Sequence, residues 1–267
     1  MKLALFIGVA LLVLVIARTQ KPIRLQYKTF LLTLPKSVTR RQNFLERHDP
    51  SIPLEVVFSK DTTCVENVKR FKDNVAKGHY EKALEMHYDD TMRRPDITYF
   101  NLGAVGAYMG HVEVIRRARA QGVKYALVCE DNLLPTRRLY AEVQRVIDEK
   151  RDSFEAVFFH CIARLPDGKE GTLERVKWIS SMKCYLVHVP NFARYVKHLR
   201  VMDNHIDNKM EDLIAKGARI FYKDMGHCAR IDRSGASTIG HSDHDKPEFF
   251  SRRHPTVTLD QLVYGTW

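Results

Sequence analysis

The sequence predicts an α/β domain that follows a separate hydrophobic segment. From Tyr27 onward, short apolar runs alternate with segments of helical length, which is the pattern of strands and helices in α/β proteins. Hydrophobic residues make up 45% of the 267 residues, enough to bury a sizeable core. Because no repeat, low-complexity tract or linker interrupts the pattern, we expect one domain over residues 24–267.

The predicted elements of the first half have local start and stop signals. Strands are predicted over residues 27–34, 54–58 and 124–129, and helices over residues 38–47, 65–76, 106–120 and 136–150. The first strand ends at Pro35, and Thr136 is a helix-capping residue. Residues 77–99 are polar and irregular, which predicts a loop with a helical turn.

In the second half, strands are predicted over residues 156–160, 175–179, 184–189 and 218–222, and helices over residues 191–201 and 206–216. A turn is expected at Pro166-Asp167-Gly168, and the strands at 175–179 and 184–189 are expected to pair with each other. Asn191 is the expected cap of the first of these helices, and Gly217 ends the second.

The N-terminal segment is an unbroken apolar run over residues 3–17, shorter than the ~20 residues that comfortably span a bilayer. Basic residues flank it: Lys2, Arg18, Lys21 and Arg24. Two interpretations stay open, a cleaved signal peptide and an uncleaved membrane anchor over residues 1–23. The poor cleavage site at Val15-Ile16-Ala17 favours the anchor. More basic residues follow the apolar segment than precede it, which under the positive-inside rule favours a cytoplasmic location of the domain. The side of the membrane on which the domain lies stays open.

The net charge of +11 and the isoelectric point near 9.4 raise the question of a polyanionic partner. Lys and Arg are scattered, and neither a basic stripe with interleaved aromatics nor a zinc-finger or RNA-binding signature is present, so we expect no nucleic-acid partner. Such a surface suits diphosphate substrates and anionic membranes. The five dispersed cysteines form no CxxC pair, which weighs against a disulfide framework and hints at a reducing compartment.

An acidic triplet, Glu130-Asp131-Asn132, follows the predicted strand at 124–129 directly. Ligands of open α/β sheets bind beyond the carboxyl ends of the strands, so acids at this place are positioned for function. Adjacent carboxylates there tend to recruit a divalent cation, which would offset charge on a nucleotide diphosphate. The competing interpretation is a solvated acidic turn.

The segment over residues 101–135, NLGAVGAYMGHVEVIRRARAQGVKYALVCEDNLLP, resembles the central motif of family 25 glycosyltransferases. That motif has a glycine and a small residue, a Ser-His pair in a helix, and an apolar strand closing on Glu-Asp-Asp. Gly106-Ala107 and His111 match it, whereas Gly110 stands in place of the serine and Asn132 in place of the last aspartate. Further segments match in the same order: LTLPKSVTRR (32–41), VVFSKDTT (56–63), HIDNKMEDLIAKG (205–217) and SGASTIGHS (234–242).

The resemblance implies a GT-A type fold, with a Rossmann-like nucleotide-sugar-binding domain and a mixed central sheet. It also implies transfer of galactose or glucose from a UDP-sugar to a glycan or glycoprotein, with inversion and one general base. Asp207 and Glu211 lie at i and i+4 of a predicted helix and are the candidate bases. The candidate donor-binding residues are Thr33, Leu34, Arg41, Asp61, Gly106, His111, Glu130 and Asp131. For His111 we expect a neutral imidazole that hydrogen-bonds the acidic segment.

The candidate metal ligands for Mn²⁺ or Mg²⁺ are Asp131, Asn132 and His241. Asn132 supplies an uncharged oxygen where the family has a carboxylate, which predicts weaker metal binding. Arg230 and Arg233 are the cations that would carry the phosphate charge instead. The same departure keeps open a second function, a catalytically inactive relative that binds a nucleotide sugar or a partner.

Overall fold

The computed structural model describes residues 27–62, 102–202, 204–226, 230–232 and 263–264. The hydrophobic segment over residues 3–17, the helix expected at 65–76 and the loop at 77–99 lie outside these residues. Among the residues described, no helix combines the length and the apolar character needed to cross a membrane.

The described strands form one large mixed sheet and a small ribbon. They are β1 (Tyr27–Thr33), β2 (Leu54–Phe58), β3 (Tyr125–Glu130), β4 (Leu133–Leu134), β5 (Ala156–Phe158), β6 (Ala163–Glu170), β7 (Leu173–Ile179), β8 (Cys184–His188), β9 (Ile220–Tyr222), β10 (Arg230–Ile231) and β11 (Val263–Tyr264). Within the described residues, nine of them follow the order β11-β6-β7-β9-β5-β8-β3-β1-β2, and β10 and β4 form the antiparallel ribbon. The predicted α/β class with a mixed central sheet is confirmed.

The parallel part of the sheet places three strand ends together. β1 pairs in parallel with both β2 and β3, with Leu32 opposite Glu130 and Thr33 opposite Phe58. The carboxyl ends of these strands therefore share one edge, where ligands of α/β sheets bind. β8 runs antiparallel to β3 and brings Cys184, at its start, to the same edge.

Helices cover both faces of the sheet. They are α1 (Val38–Arg47), α2 (Leu102–Ala120), α3 (Arg137–Lys150), α4 (Val189–Phe192) and α5 (Ile206–Ala215), with a 3₁₀ helix over Ala193–Leu199. The apolar sides of α2 and α5 belong to one core, and those of α1 and α3 to a second core on the other face. Thr136 caps α3 as predicted, because its side chain accepts a hydrogen bond from the Leu139 N–H.

Two expectations for the strands of the second half were wrong. β7 pairs with β6 and β9, whereas β8 pairs with β3 and β5, so the two strands that we expected to pair do not. Pro166-Asp167-Gly168 lies inside β6, where the register shifts between Pro166 and Lys169, and the chain reverses at Gly171 instead. The residues Pro166-Asp167-Gly168, which predicted a turn, instead form a bulge-like irregularity within β6.

Asn191 does not cap a helix, because α4 begins at Val189 with Pro190 in its first turn. The Asn191 side chain donates to the carbonyl oxygens of Asp152, at 2.6 Å, and Phe154, at 3.0 Å. A short polar side chain can hydrogen-bond carbonyl groups of a loop as readily as it can cap a helix. The sequence alone does not distinguish these two roles.

We expect that deleting residues 1–24 leaves a folded, soluble domain, because the described core begins at Tyr27 in β1. Its melting temperature should stay within about 3 °C of the full chain, less than about 1 kcal/mol for a chain of this size. Size-exclusion chromatography and thermal unfolding of both forms, the full chain in detergent, test this. Aggregated or unfolded truncated protein would show that the first 24 residues belong to the fold.

Candidate functional site

The end of β1 and the acidic triplet are joined by a buried hydrogen bond. The Thr33 hydroxyl donates to Oδ2 of Asp131 over 2.7 Å. This contact follows from the register, since Leu32 and Glu130, the residues before them, are opposite each other in parallel strands. Asp131 is only 8% exposed, and Nη1 of Arg40 lies 4.0 Å from its Oδ1. The carboxylate therefore interacts with the Thr33 hydroxyl, the Ser37 side chain and one more distant cation.

Burial raises the pKa of Asp131 above its ordinary value, and the neighbouring Glu130 charge raises it further. The hydrogen bond from Thr33 and the positive charge of Arg40 oppose this shift without cancelling it. A carboxyl group whose pKa is raised on folding destabilises the folded protein in its ionised form. The ionised form of the Asp131 carboxyl group therefore lowers the stability of the folded protein.

His111 connects the acidic triplet to the opposite strand, and the hydrogen bond that we expected is present. Its Nε2 lies 3.2 Å from Oε1 of Glu130, and its Nδ1 lies 2.9 Å from the hydroxyl of Tyr185 in β8. His111 is 2% exposed, whereas a quarter of the Glu130 side chain is exposed. The imidazole thus holds Glu130 in one orientation with one side facing solvent.

Asp207, a candidate base, contacts the segment that enters β8. Its Oδ2 accepts hydrogen bonds from the Ser181 N–H at 3.0 Å and from the Ser180 hydroxyl at 3.3 Å. In the same segment, the carbonyl oxygen of Lys183 accepts from the Glu130 N–H at 2.9 Å. Three residues of this segment, Ser180, Ser181 and Lys183, thus link Asp207 to the acidic triplet, although the sequence separates Asp207 from the triplet by more than 70 positions. Glu211, one turn further along α5, is half-buried.

Ser181 has a strained backbone, with φ at 91°, and a hydroxyl 3.4 Å from Nδ1 of His160. Serine, histidine and aspartate at one place raise the possibility of a nucleophilic triad. Asp207, however, binds the Ser181 N–H rather than the imidazole. Burial and the positive charge of Lys183 lower the pKa of His160 to about 3, so its imidazole is too weak a base to activate serine. The geometry favours Asp207 fixing the Ser181 backbone.

Asn132 presents a buried acceptor without a donor. Its Oδ1 has no hydrogen-bond partner among the described residues, although its backbone oxygen accepts from the Asp232 N–H at 2.6 Å. No group of three His, Cys, Asp or Glu side chains in the described part of the chain is arranged to hold a metal ion. If Asp131 and Asn132 bound a hard divalent cation, they would give it two of about six oxygen ligands. His241, the third predicted ligand, lies outside the described residues.

Arg41 and Leu34 bind each other at the exit of β1. Nη1 of Arg41 donates to the Leu34 carbonyl oxygen at 3.1 Å, and its guanidinium lies over the Phe58 ring at 5.3 Å. Arg40, its neighbour, is the arginine that faces Asp131. Arg41 is the residue that the sequence analysis named, but the structure places Arg40 beside the carboxylate.

Asp61 lies just after β2, and Gly106, in α2, packs against the same segment. Asp61 forms a salt bridge with Lys36 at 2.6 Å, and a Cβ on Gly106 would lie 2.9 Å from the Lys60 carbonyl oxygen. Gly106 thus lets α2 pack against the loop after β2. Both residues border the same edge of the sheet as Thr33, and their described contacts are within the protein.

Gly110 explains one departure from the family motif. A Cβ at this position would lie 2.7 Å from a methyl group of Leu32 and 2.9 Å from the Ser59 hydroxyl oxygen. A serine side chain would fit only if the Leu32 side chain and the Ser59 hydroxyl moved, so glycine permits the close packing of α2 against these side chains. That packing brings His111, the next residue, to Glu130.

Sequence reasoning missed Tyr185, Ser181 and Lys183, which hold the candidate residues from the β8 side. No local signal marks them, because each acts through a strand pairing that the sequence does not show. Comparison with models of known protein families gives no match, and comparison with curated proteins gives no significant match. Function is therefore inferred from the arrangement of side chains at this edge.

Proposed function

We propose that this chain is a GT-A type glycosyltransferase similar to family 25, which transfers galactose or glucose from a UDP-sugar to a hydroxyl group of a glycan or glycoprotein. The observation that supports this most is Asp131, a buried carboxylate at the shared carboxyl edge of β1 and β3. Charged groups that cost stability are concentrated at functional sites, because their charge is needed there.

The other contacts support the same site. Thr33 and Arg40 hold Asp131, while His111 holds Glu130. A nucleotide sugar bound beyond these strands would meet both carboxylates, as ligands of α/β sheets do at this edge. Membrane attachment through residues 3–17 belongs to the proposal.

Asp207 is our candidate for the general base. Its carboxylate takes the proton of the acceptor hydroxyl while that oxygen forms a bond to the anomeric carbon of the donor. The bond between this carbon and the diphosphate oxygen breaks, and UDP leaves with the electron pair. Attack opposite to the leaving group inverts the anomeric configuration without a covalent enzyme intermediate. Ser180 and Ser181 fix the orientation of the carboxylate for this step.

The negative charge of the departing diphosphate must be offset. A divalent cation held by Asp131 and Asn132 would supply that charge, and carboxylate and amide oxygens suit Mn²⁺ or Mg²⁺. The described residues provide these two ligands and leave the remaining positions to water, substrate or residues such as His241. No step above depends on the ion.

The second candidate function is a nucleotide-sugar-binding protein without transfer activity, which Asn132 favours. The two are separated by measuring UDP release from a panel of UDP-sugars, with and without Mn²⁺, beside calorimetric binding of UDP. Release that depends on the acceptor supports transfer, and binding without release supports the inactive protein. The absence of both binding and release would reject both functions.

Asn132→Asp tests the metal ligand. Because the Asn132 oxygen is buried without a donor, a charge there should lower the free energy of unfolding by about 1–3 kcal/mol in chelator. Mn²⁺ should restore the melting temperature and activate the variant at concentrations about tenfold lower than the wild type, because a charged ligand has been added. Thermal unfolding and activity titrations with Mn²⁺ measure both effects.

Asn132→Ala is the matched control, since it removes the amide without adding charge and should show no stabilisation by Mn²⁺. Tight, saturable activation of the wild type that the aspartate substitution leaves unchanged would contradict the assignment. The metal site would then centre on Asp131 and a histidine such as His241.

A further inference from the structure

A cleft of about 710 Å³ lies beside the β4–β10 ribbon, on the face of the sheet that carries α1 and α3. Three arginines line it: Arg47 at the end of α1, Arg138 in the first turn of α3, and Arg230 in β10. Leu134 and Met225 contribute apolar surface. Its volume is that of a site for a ligand of nucleotide or sugar-phosphate size.

The three arginines have no salt-bridge or hydrogen-bond partner for their side chains among the described residues, and all three are exposed. Asp224 is the acidic residue in the lining, and its Oδ1 accepts a hydrogen bond from the Gly226 N–H. Three positive charges thus face one negative charge that the backbone already engages. This excess of positive charge would be offset by an anion.

Several arginines elsewhere on the described surface are paired with acids. Arg116 and Arg117 bind Glu113, and Arg194 and Arg219 bind Glu155. Exposed arginines without such a partner among the described residues also occur elsewhere, at Arg119, Arg151 and Arg200. The arginines of the cleft differ from these because three of them, from three separate elements, line one cleft.

The start of α3 adds to the positive potential of the cleft. Its first turn contains Arg137 and Arg138 and no acidic residue. The N-terminus of a helix carries a partial positive charge, which adds to the charge of Arg138, whereas Arg137 already interacts with the Asp49 carboxylate. A phosphate group would be attracted by the helix end and would accept paired hydrogen bonds from planar guanidinium groups.

We propose that this arginine cleft is a binding site for the phosphate group of a ligand. The uncharged part of the ligand lies against Leu134 and Met225, and the phosphate lies between Arg47, Arg138 and Arg230. Such a group comes from a soluble sugar phosphate or nucleotide, or from a phospholipid headgroup. Arg230 is also one of the two cations that the sequence analysis assigned to the donor phosphate, but the evidence for this site is the cleft and its charges, without the transfer activity.

Calorimetric titration of the full chain in neutral detergent with inorganic pyrophosphate tests the site. We expect saturable binding that Arg47→Ala, Arg138→Ala and Arg230→Ala each weaken about tenfold, as expected for the loss of a hydrogen bond to a charged group. Arg116→Ala, which removes an exposed arginine from a salt bridge outside the cleft, is the control and should change the affinity less than about twofold. Circular dichroism confirms that the variants are folded.

The same variants distinguish the source of the phosphate. For a soluble ligand, binding of glucose 1-phosphate is compared with binding of glucose. For a lipid, binding of short-chain phosphatidic acid is compared with binding of short-chain phosphatidylcholine. Selective binding of either phosphate-bearing member, weakened by the arginine variants, supports the site and identifies the source. Absent pyrophosphate binding, or binding unchanged in the triple alanine variant, overturns the proposal. If pyrophosphate binding is lost in Asp131→Ala but retained in the triple alanine variant, the phosphate binds at the acidic triplet, and the proposal is also overturned.

Discussion

Replacing Asp131 by asparagine is expected to abolish sugar transfer while leaving the free energy of unfolding unchanged or slightly higher. The amide oxygen can still accept the hydrogen bond from Thr33, so the local packing is kept. The substitution also removes the buried negative charge, and therefore the destabilisation that this charge causes. Activity should fall by at least about 10²-fold, the effect of losing one preorganised electrostatic group at a reacting centre.

The pH dependence of stability shows whether the Asp131 charge destabilises the fold, as we expect, or supports it. Because folding raises the pKa of Asp131, its destabilising effect is present above that pKa and disappears as the pH falls below the ordinary aspartate value. The melting temperature of the asparagine variant should therefore exceed that of the wild type most at neutral pH, and this difference should disappear in acid. Melting temperatures of both proteins from pH 8 to about pH 3, below the ordinary aspartate pKa, measure the difference.

Asp148→Asn, on the exposed side of α3, is the matched control and should change neither activity nor the pH profile. Undiminished turnover of Asp131→Asn would remove this carboxylate from the mechanism. A large drop in melting temperature would show instead that its charge supports the fold.

The second large effect is expected at Asp207, where asparagine and alanine should differ. Asparagine can still accept the hydrogen bond from the Ser181 N–H but cannot take a proton. Turnover should fall about 10²–10⁴-fold, as on removal of a general base, with a melting temperature near that of the wild type. Alanine should also lower the free energy of unfolding by about 1–3 kcal/mol, because the Ser181 N–H loses its acceptor.

Steady-state transfer assays and thermal unfolding of both variants test this, with calorimetric UDP binding to show that the donor site is intact. Asp212→Asn, on the exposed side of the same helix, controls for loss of a carboxylate and should retain full activity. If Asp207→Asn is fully active and Glu211→Gln is inactive, the base is Glu211. Equal loss of stability in the asparagine and alanine variants would indicate that Asp207 is needed as a charge for folding.

Several elements were determined by the sequence itself, because their signals are local. α1 and β2 have the predicted bounds, and α3 begins after Thr136, whose hydroxyl accepts from Leu139 three residues away. Gly217 follows α5 with φ at 92°, a conformation that glycine adopts without a steric penalty. Capping, strand length and left-handed termination involve neighbouring residues, so they can be read in order along the chain.

The position of the acidic triplet was also predictable, since an apolar strand followed by polar residues places them at a sheet edge. What the sequence could not supply was the order of the strands. The spacing of β7 and β8 suggested a hairpin, yet nine strands compete for partners within the described sheet. Pairing is decided by burial of whole strand faces and by the helices that cover them, which are non-local quantities.

The site depends on that order. Because β8 lies beside β3, Cys184 is opposite Cys129, and Tyr185, the next residue, reaches His111 from 74 positions away. Because β8 follows Ser180–Lys183, the same segment meets Asp207 through Ser181 and Glu130 through Lys183. The sequence thus determined which side chains stand at the ends of elements. Only the tertiary structure decided which of them meet, because each contact depends on strand pairing between distant parts of the chain.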